Sequence, residues 1–461
     1  MEKDFAIIEQ DESGNVVASY GQTIAEAAAT KKETSTLAQR LIAVFLPAGF
    51  PAFSSSIASL LTSRAVLEDC VGRIATILFA YKLGPALEAE CKMYRFMADI
   101  FNDSAMLLDC LSPKLPQTAR IAILCLSGSL RALCGVAGGA SKASLSVHFA
   151  KTGNVGELNA KDSSQETVIS LLGMLAGSFV VSHISSGLST WIVLVFLLGT
   201  HLATNYKAVR CVAMNTMNRQ RTNILFTEFI YSKPGPISIL SPKEVAKKER
   251  VLEKDGLLRH RGREVGFAEI GVPFSTLLKA MEEDASVSGK SQSEDAKIGR
   301  IRDLVETFKD ENHILYPVSE PSKMHRFPTI YISLKTGATS RDQIKAWMHA
   351  LFVACLFTNR GSTFTFQISA YKHEEVMEII SKSCTVLSSL FSKTINWESF
   401  QEKGWDLDTA HIETRSGYRI SFVSKEELEK MDPDSGSTTP GSITIETVAS
   451  EAAYLEVKKV V

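Results

Sequence analysis

Thr167–Tyr206 reads TVISLLGMLAGSFVVSHISSGLSTWIVLVFLLGTHLATNY, 40 consecutive residues without Asp, Glu, Lys or Arg. A single helix of that length would run roughly 60 Å at 1.5 Å per residue, twice a hydrocarbon core. The group Ser185-Ser186-Gly187-Leu188-Ser189 near the midpoint supplies a turn. The stretch therefore predicts a hairpin of two helices, about Val168–Ile184 and Thr190–Tyr206. A buried soluble hairpin and a membrane hairpin both satisfy the pattern. Trp191, Tyr206 and the basic group Lys207, Arg210, Arg219 and Arg221 favour the membrane, since amphipathic aromatics and cations anchor at its interface.

Outward from this stretch the low charge persists. Leu41–Tyr206 holds 21 charged residues in 166 positions, against 22% for the whole chain. Over all 461 residues, 50 Lys and Arg face 51 Asp and Glu. That balance excludes a nucleic-acid binder built on bulk positive charge, so no nucleic-acid partner is expected. The eight cysteines form no C-x-x-C pair and sit mostly among apolar residues, as small buried hydrophobes of a reducing compartment do. Glu2, Asp4, Glu9, Asp11 and Glu12 make an acidic start unlike a secretory signal or a mitochondrial presequence. An internal segment is expected to direct membrane insertion.

The fold class read from these patterns is a mainly α, membrane-associated helical module followed by a smaller soluble α+β domain. Residues 1–40 predict a hairpin extension, turning at Ser13-Gly14-Asn15. Residues 41–221 form the apolar module. Within it, helices are expected over Arg73–Leu83, over Glu88–Leu111 and over the small-residue run Ile121–Ala140, which carries Arg131 in its middle. Residues 222–283 read as a connecting helical segment, with Ser241-Pro242-Lys243-Glu244 opening a helix to about Lys254. Residues 284–300 read as a flexible linker, whose Gly289-Lys290-Ser291 lacks the upstream glycine of a phosphate loop. Residues 301–425 read as the α+β domain: strands at Pro328–Lys335 and around Phe364–Ile368, helices from Ser340 and over Lys372–Ser392, and a terminal hairpin at Ile412–Val423. Residues 426–461 read as a largely disordered tail.

Two polar constellations interrupt the apolar module. On one predicted helix, Arg95, Asp99 and Asp103 follow at intervals of four and share a stripe, with Asn102 adjacent. Inside an apolar module such a stripe is either an ion-pair network between helices or a site for a cation or polar ligand. Arg131 needs a partner for the same reason. The second constellation comprises His148, Asn154, Lys161, Asp162 and Gln165, directly before the hairpin. Ser163 with Glu166, and Asp162 with Gln165, match capping boxes in adjacent registers, and a helix N-terminus beside Lys161 could receive an anion. No catalytic triad order, zinc spacing or dinucleotide fingerprint is present, so no catalytic residue, metal or cofactor is assigned.

These two constellations also carry a family resemblance. Phe45-Leu46-Pro47-Ala48-Gly49-Phe50-Pro51, the run from Lys92 through Arg95, Asp99 and Asn102 to Asp103, Gly135-Val-Ala-Gly-Gly139, His148 to Asn154, Ala160 to Glu166 and Asn218-Arg219-Gln220-Arg221 together resemble the root UVB sensitive (RUS) family. The resemblance covers about Leu41 to Gly256, and more weakly the C-terminal domain. It implies a membrane-associated protein of a family linked to UV-B responses, auxin transport and vitamin B6 status, with no established catalytic residue to carry over. The chain departs from the family pattern between Pro51 and Gly72, where Ser54–Glu68 runs almost directly into Asp69-Cys70-Val71-Gly72 and about one or two helices are missing. The function expected is that of an integral membrane protein of unassigned organelle acting by interaction, as scaffold or trafficking factor. Its partners would be the lipid bilayer and a protein, a family homologue among the candidates. The alternative is a transporter or small-molecule binder using the intramembrane polar cluster.

Overall fold

The computed structural model describes residues 7–10, 16–21, 64–151, 153–184, 186–227, 229, 238–287, 294–318, 327–359, 373–393, 395–414, 417–423, 443–444 and 454–460. In chain order they form β1 (Ile7–Gln10), β2 (Val16–Gly21) and five long helices: α1 (Arg64–Ala89), α2 (Cys91–Leu111), α3 (Gln117–Phe149), α4 (Val155–His183) and α5 (Gly187–Cys211). Then come β3 (Thr216–Asn218), α6 (Arg219–Phe226), α7 (Pro242–Lys248), β4 (Leu257–His260), β5 (Arg263–Ile270), α8 (Phe274–Val287), α9 (Glu294–Thr307), β6 (His313–Val318) and β7 (Thr329–Lys335). The remainder is α10 (Ser340–Asn359), α11 (His373–Lys393), α12 (Trp397–Glu402), β8 (Asp406–His411), β9 (Gly417–Val423), β10 (Ile443–Thr444) and β11 (Tyr454–Val460). The chain divides into a helical unit, residues 49–215 with 242–253, and an α/β unit that takes the rest.

In the helical unit, α2 is the central element and packs on α3 and α5, while α1 packs on α3. One face of α2 buries Tyr94, Ala98 and Ala105, and the opposite face buries Phe96. Tyr94 and Ala98 join Ala86, Leu87 and Ala137 in one apolar cluster; Phe96 joins Val209 and Val251 in another. α1 and α3 meet at Gly72 and Gly128, where a Cβ added to Gly72 would stand at ordinary contact distance, 3.5 Å, from the Gly128 carbonyl oxygen. Among the described residues, four segments are long and apolar enough to cross a membrane: Asp69–Ala89, Ala119–Phe149, Val155–His183 and Gly187–Cys211. The 167–206 stretch forms two helices as expected, the C-terminal part of α4 and α5, but they do not pack along each other as a hairpin would; α4 touches α3 instead. The start of α5 is capped by Ser186, whose hydroxyl accepts from the Ser189 amide at 3.1 Å. No residue of α4 is buried, and its Val168, Ile169, Phe179 and Val181 are all exposed.

Several helices outrun their sequence-based bounds. α1 continues through Gly84-Pro85 instead of stopping there, although proline removes one ladder hydrogen bond. α4 begins at Val155, seven and eight residues before the capping boxes expected at Asp162 and Ser163. The segment missing from the family pattern falls largely in 49–63, outside the described residues.

The α/β unit centres on a mixed sheet in the order β10-β2-β1-β11-β9-β7-β5-β4, with β6 paired antiparallel to β7. Ile330, Ile332 and Leu334 of β7 are fully buried, and so are Ile344, Trp347, Met348 and Leu351 of α10. Gly266 lets β5 approach α10 closely, because a Cβ there would sit 2.9 Å from the Ala354 methyl. The start of α10 is capped one residue earlier than the Ser340 box implies: Asp342 Oδ2 accepts from the Thr339 amide at 2.8 Å.

Residues 222–283, read as a helical connection, contain two strands of this sheet. β4 and β5 form a hairpin turning at Arg261-Gly262, both with positive φ, as a tight two-residue hairpin loop requires. The 284–300 linker is partly helical, since α8 reaches Val287 and α9 starts at Glu294. The hairpin expected at Ile412–Val423 does not form. β8 pairs with β3 in a separate two-stranded sheet, while β9 lies between β7 and β11. The tail ends in β11, which pairs with β9 and β1. The strand expected around Phe364–Ile368 lies outside the described residues.

Candidate functional site

The charged stripe of α2 is a ladder of contacts to other parts of the helical unit. Lys92 at its start pairs with Glu249, just beyond α7. One turn on, Arg95 Nη1 donates to Asp99 Oδ1 at 3.0 Å within the helix. A turn further, Asp103 Oδ2 lies 2.9 Å from His201 Nδ1 on α5. Near the end, Asp109 accepts from Ser127 Oγ at 2.5 Å and pairs with Arg131, both on α3. The spacing explains the arrangement: positions 92, 95, 99 and 103 follow the three- and four-residue rhythm that keeps side chains on one helical face. Burial then dictates pairing, because a lone charge in apolar surroundings is costly.

The members differ in access. The Asp99 and Asp103 side chains are 9% and 6% exposed, whereas Arg95 and His201 are 38% and 43% exposed. Asp99 Oδ2 is buried and has no hydrogen-bond partner. Asn102 is half-buried on the same helix. On α3, the half-buried Cys134 thiol feels the charges of Asp99, Arg95 and Asp103.

The second constellation is spread along the α3–α4 connection. Lys142 reaches Asp162 at 2.7 Å and Glu166 at 2.8 Å, and Ser146 Oγ donates to Asn159 Oδ1 at 2.6 Å. Lys161 pairs with Glu157 on its own helix at 2.5 Å. Asn154 accepts from the Lys151 amide at 2.9 Å, and Gln165 is exposed. His148 is 3.0 Å from Asn215 Oδ1. Asp162, Ser163 and Gln165 sit inside α4, where the backbone amides already serve the helix. No helix N-terminus faces Lys161, and that ground for an anion site falls away.

Arg219 and Arg221 correct a further expectation. They are buried in the α/β unit and are not an interfacial anchor. Arg219 Nε donates to the Ile412 carbonyl at 2.7 Å and its guanidinium lies over Trp347; Arg221 Nη1 donates to the Thr216 carbonyl at 2.8 Å. Lys207 and Arg210 do follow the apolar run on α5, with Arg210 over the Tyr206 ring.

Sequence reasoning missed Lys142, His201 and Glu249. His201 carried a usable signal, being one of two histidines in a run otherwise free of ionisable side chains of the Asp, Glu, Lys and Arg types. Glu249 carried none, for it follows Lys92 by 157 residues.

Four helices able to cross a membrane, a buried polar ladder between them and a separate mixed-sheet unit define a membrane-compatible helical protein with an appended α/β part. Residues 53–233 match the family model described as the vitamin B6 photo-protection and homoeostasis domain, and residues 299–417 match that of the root UVB sensitive protein C-terminal region. The chain belongs to the root UVB sensitive family. RUS family member 1 of Dictyostelium discoideum is 37% identical over 222 residues, covering 48% of this chain and 41% of that protein. Protein root UVB sensitive 3 of Arabidopsis thaliana is 29% identical over 350 residues, 73% of this chain and 72% of the relative. Protein root UVB sensitive 2, chloroplastic, also of Arabidopsis thaliana, is 22% identical over 289 residues. The chain thus spans less than half the length of the first of these relatives. No solved structure matches it.

Proposed function

We propose that this chain is an integral membrane protein that acts by interaction, as a non-enzymatic scaffold or trafficking factor whose partner is another protein, a family homologue among the candidates. The observation that carries the reading is the apolar surface of α4 and α5. Across 29 and 25 residues they expose Val168, Phe179, Val181, Leu188, Ile192 and Phe196, and α4 buries nothing. Apolar surface on this scale needs a bilayer or a partner to cover it. The ladder on α2 supports a structural use of most charged residues, since nearly every one is matched.

Alkaline carbonate extraction of membranes tests integration. The chain should remain with the pellet, and release into the supernatant would sink the proposal. Affinity purification from detergent extract would then identify the partner.

One observation favours a second reading, a carrier or small-molecule binder using the polar cluster: the Asp99 Oδ2 atom, buried without a donor. Isotope flux into proteoliposomes separates the two.

A further inference from the structure

Asp99 and Asp103 lie one turn apart on α2, each more than nine-tenths buried. Among the described residues, the ionisable groups that act on them are Arg95 on the same helix, His201 from α5 and Cys134 from α3, while Phe79 and Leu83 of α1 pack on the neighbouring apolar cluster around Ala98. With His201 neutral, two carboxylates share one guanidinium and a single negative charge is left over inside an apolar helical unit. The geometry shows where that excess is felt. Asp99 Oδ1 takes the Arg95 hydrogen bond and Asp103 Oδ2 takes that of His201, but Asp99 Oδ2 faces no donor. A buried carboxylate oxygen in that position calls for a hydrogen.

We propose that Asp99, Asp103 and His201 form a site that binds one proton, with Asp99 Oδ2 as the inner acceptor and His201 as the entry. His201 is the most exposed member, so it meets water while its Nδ1 touches Asp103. An acid in the medium protonates the outer ring nitrogen. The ring releases its Nδ1 proton to Asp103 Oδ2, and Asp103 passes a proton one helical turn on to Asp99. Imidazole returns to its neutral form, one proton has entered, and the cluster's charge goes from −1 to zero. Chains of Asp and His of this kind serve as proton relays in membrane proteins. The inference rests on the second reading above and names the ligand of its site.

The test uses the full chain in phosphatidylcholine nanodiscs, with infrared difference spectra between alkaline and acidic buffer. Acidification should produce a carboxylic-acid carbonyl band that shifts on ¹³C-aspartate labelling. Asp99→Asn should abolish it. His201→Gln should slow its appearance after a pH jump, and an unchanged rate would overturn the entry role of His201. A band that survives Asp99→Asn would overturn the assignment. Should that variant not fold, Asp99→Glu replaces it: the band must then lose its ¹³C-aspartate shift, and a retained shift overturns the proposal equally. A failed flux measurement with the band present would remove the carrier reading and leave the proton site standing.

Discussion

Lys92 and Glu249 form an ion pair whose two side chains are 9% and 7% exposed. It fastens the segment after α7 to the start of α2, within the helical unit. Removing Glu249 strands the buried Lys92 ammonium, at roughly 3–5 kcal/mol. Glu249→Leu alone should therefore destabilise strongly, and adding Lys92→Met should recover much of the loss. A double-mutant cycle on thermal unfolding in detergent reads this directly. Additive losses would mean the two side chains are not coupled.

The 167–206 stretch makes a topological prediction. α4 and α5 follow each other directly along the chain and both are long enough to cross, so two crossings put Lys161 and Arg210 on the same side of the bilayer. Cysteines placed at each position should be labelled by an impermeant maleimide from one side only. The cations Lys207 and Arg210 predict that this side is the cytoplasmic one or its organellar equivalent. Labelling of the two positions from opposite sides would rule out two crossings.

Acid should weaken the α/β unit through two histidines. His313 Nε2 and His349 Nδ1 are 2.9 Å apart, and His349 Nε2 is 2.7 Å from Ser383 Oγ, all fully buried. Burial, then the nearby Lys345, lowers the His349 pKa to about 3; burial, then His349, Lys345 and Lys335, lowers that of His313 well below its usual value. Folded values below the unfolded ones mean that the unfolded chain binds the extra protons. Stability is thus full above about pH 6.5 and falls as pH drops below it. From pH 6.5 to 5 the loss for His349 should be about 2 kcal/mol. Denaturant unfolding at the two pH values, with His349→Gln as a variant of reduced slope, measures it. A wild-type profile flat over that range would contradict the buried neutral pair.

A fragment from Gly299 to Val423 looks self-sufficient in sequence, with its own strands and capped helices. The structure predicts otherwise. β5 pairs with β7 from residue 267 onward, and Trp347 Nε1 donates to Asn223 Oδ1 at 2.9 Å, so the fragment loses a sheet neighbour and a buried hydrogen bond. It should lack a cooperative thermal transition, whereas the full chain keeps one. Cooperative melting of the fragment would show that β4, β5 and α6 are dispensable.

Legibility followed the range of the forces involved. The two helices of 167–206 could be read because their signals are local, an uncharged run broken by a Ser-Gly group near its midpoint, whereas their failure to pack along each other could not. The Arg95–Asp99 pair was equally plain at a spacing of four. Capping-box residues misled at Ser163 and Glu166, because residues of those types also pair across helices, and Lys142 holds Glu166 there. β4 and β5 were read as helix although Arg261-Gly262 marks a turn. Partners such as His201 for Asp103 and Ile412 for Arg219 were beyond reach, lying 98 and 193 residues away. Arg219 shows the cost: an arginine beyond an apolar helix looks like an interface anchor until its buried acceptors are known.

The return of residues 242–253 to the helical unit also sets a schedule for synthesis. Lys92 leaves the ribosome 157 residues before the carboxylate that neutralises it. At about 5–20 residues per second, that leaves its ammonium waiting roughly 8–30 s. Until Glu249 emerges, α2 must keep its first turn in contact with water or with a helper. The helical unit cannot close in the order in which its long helices are made; its last stitch is translated after the first strand of the neighbouring unit.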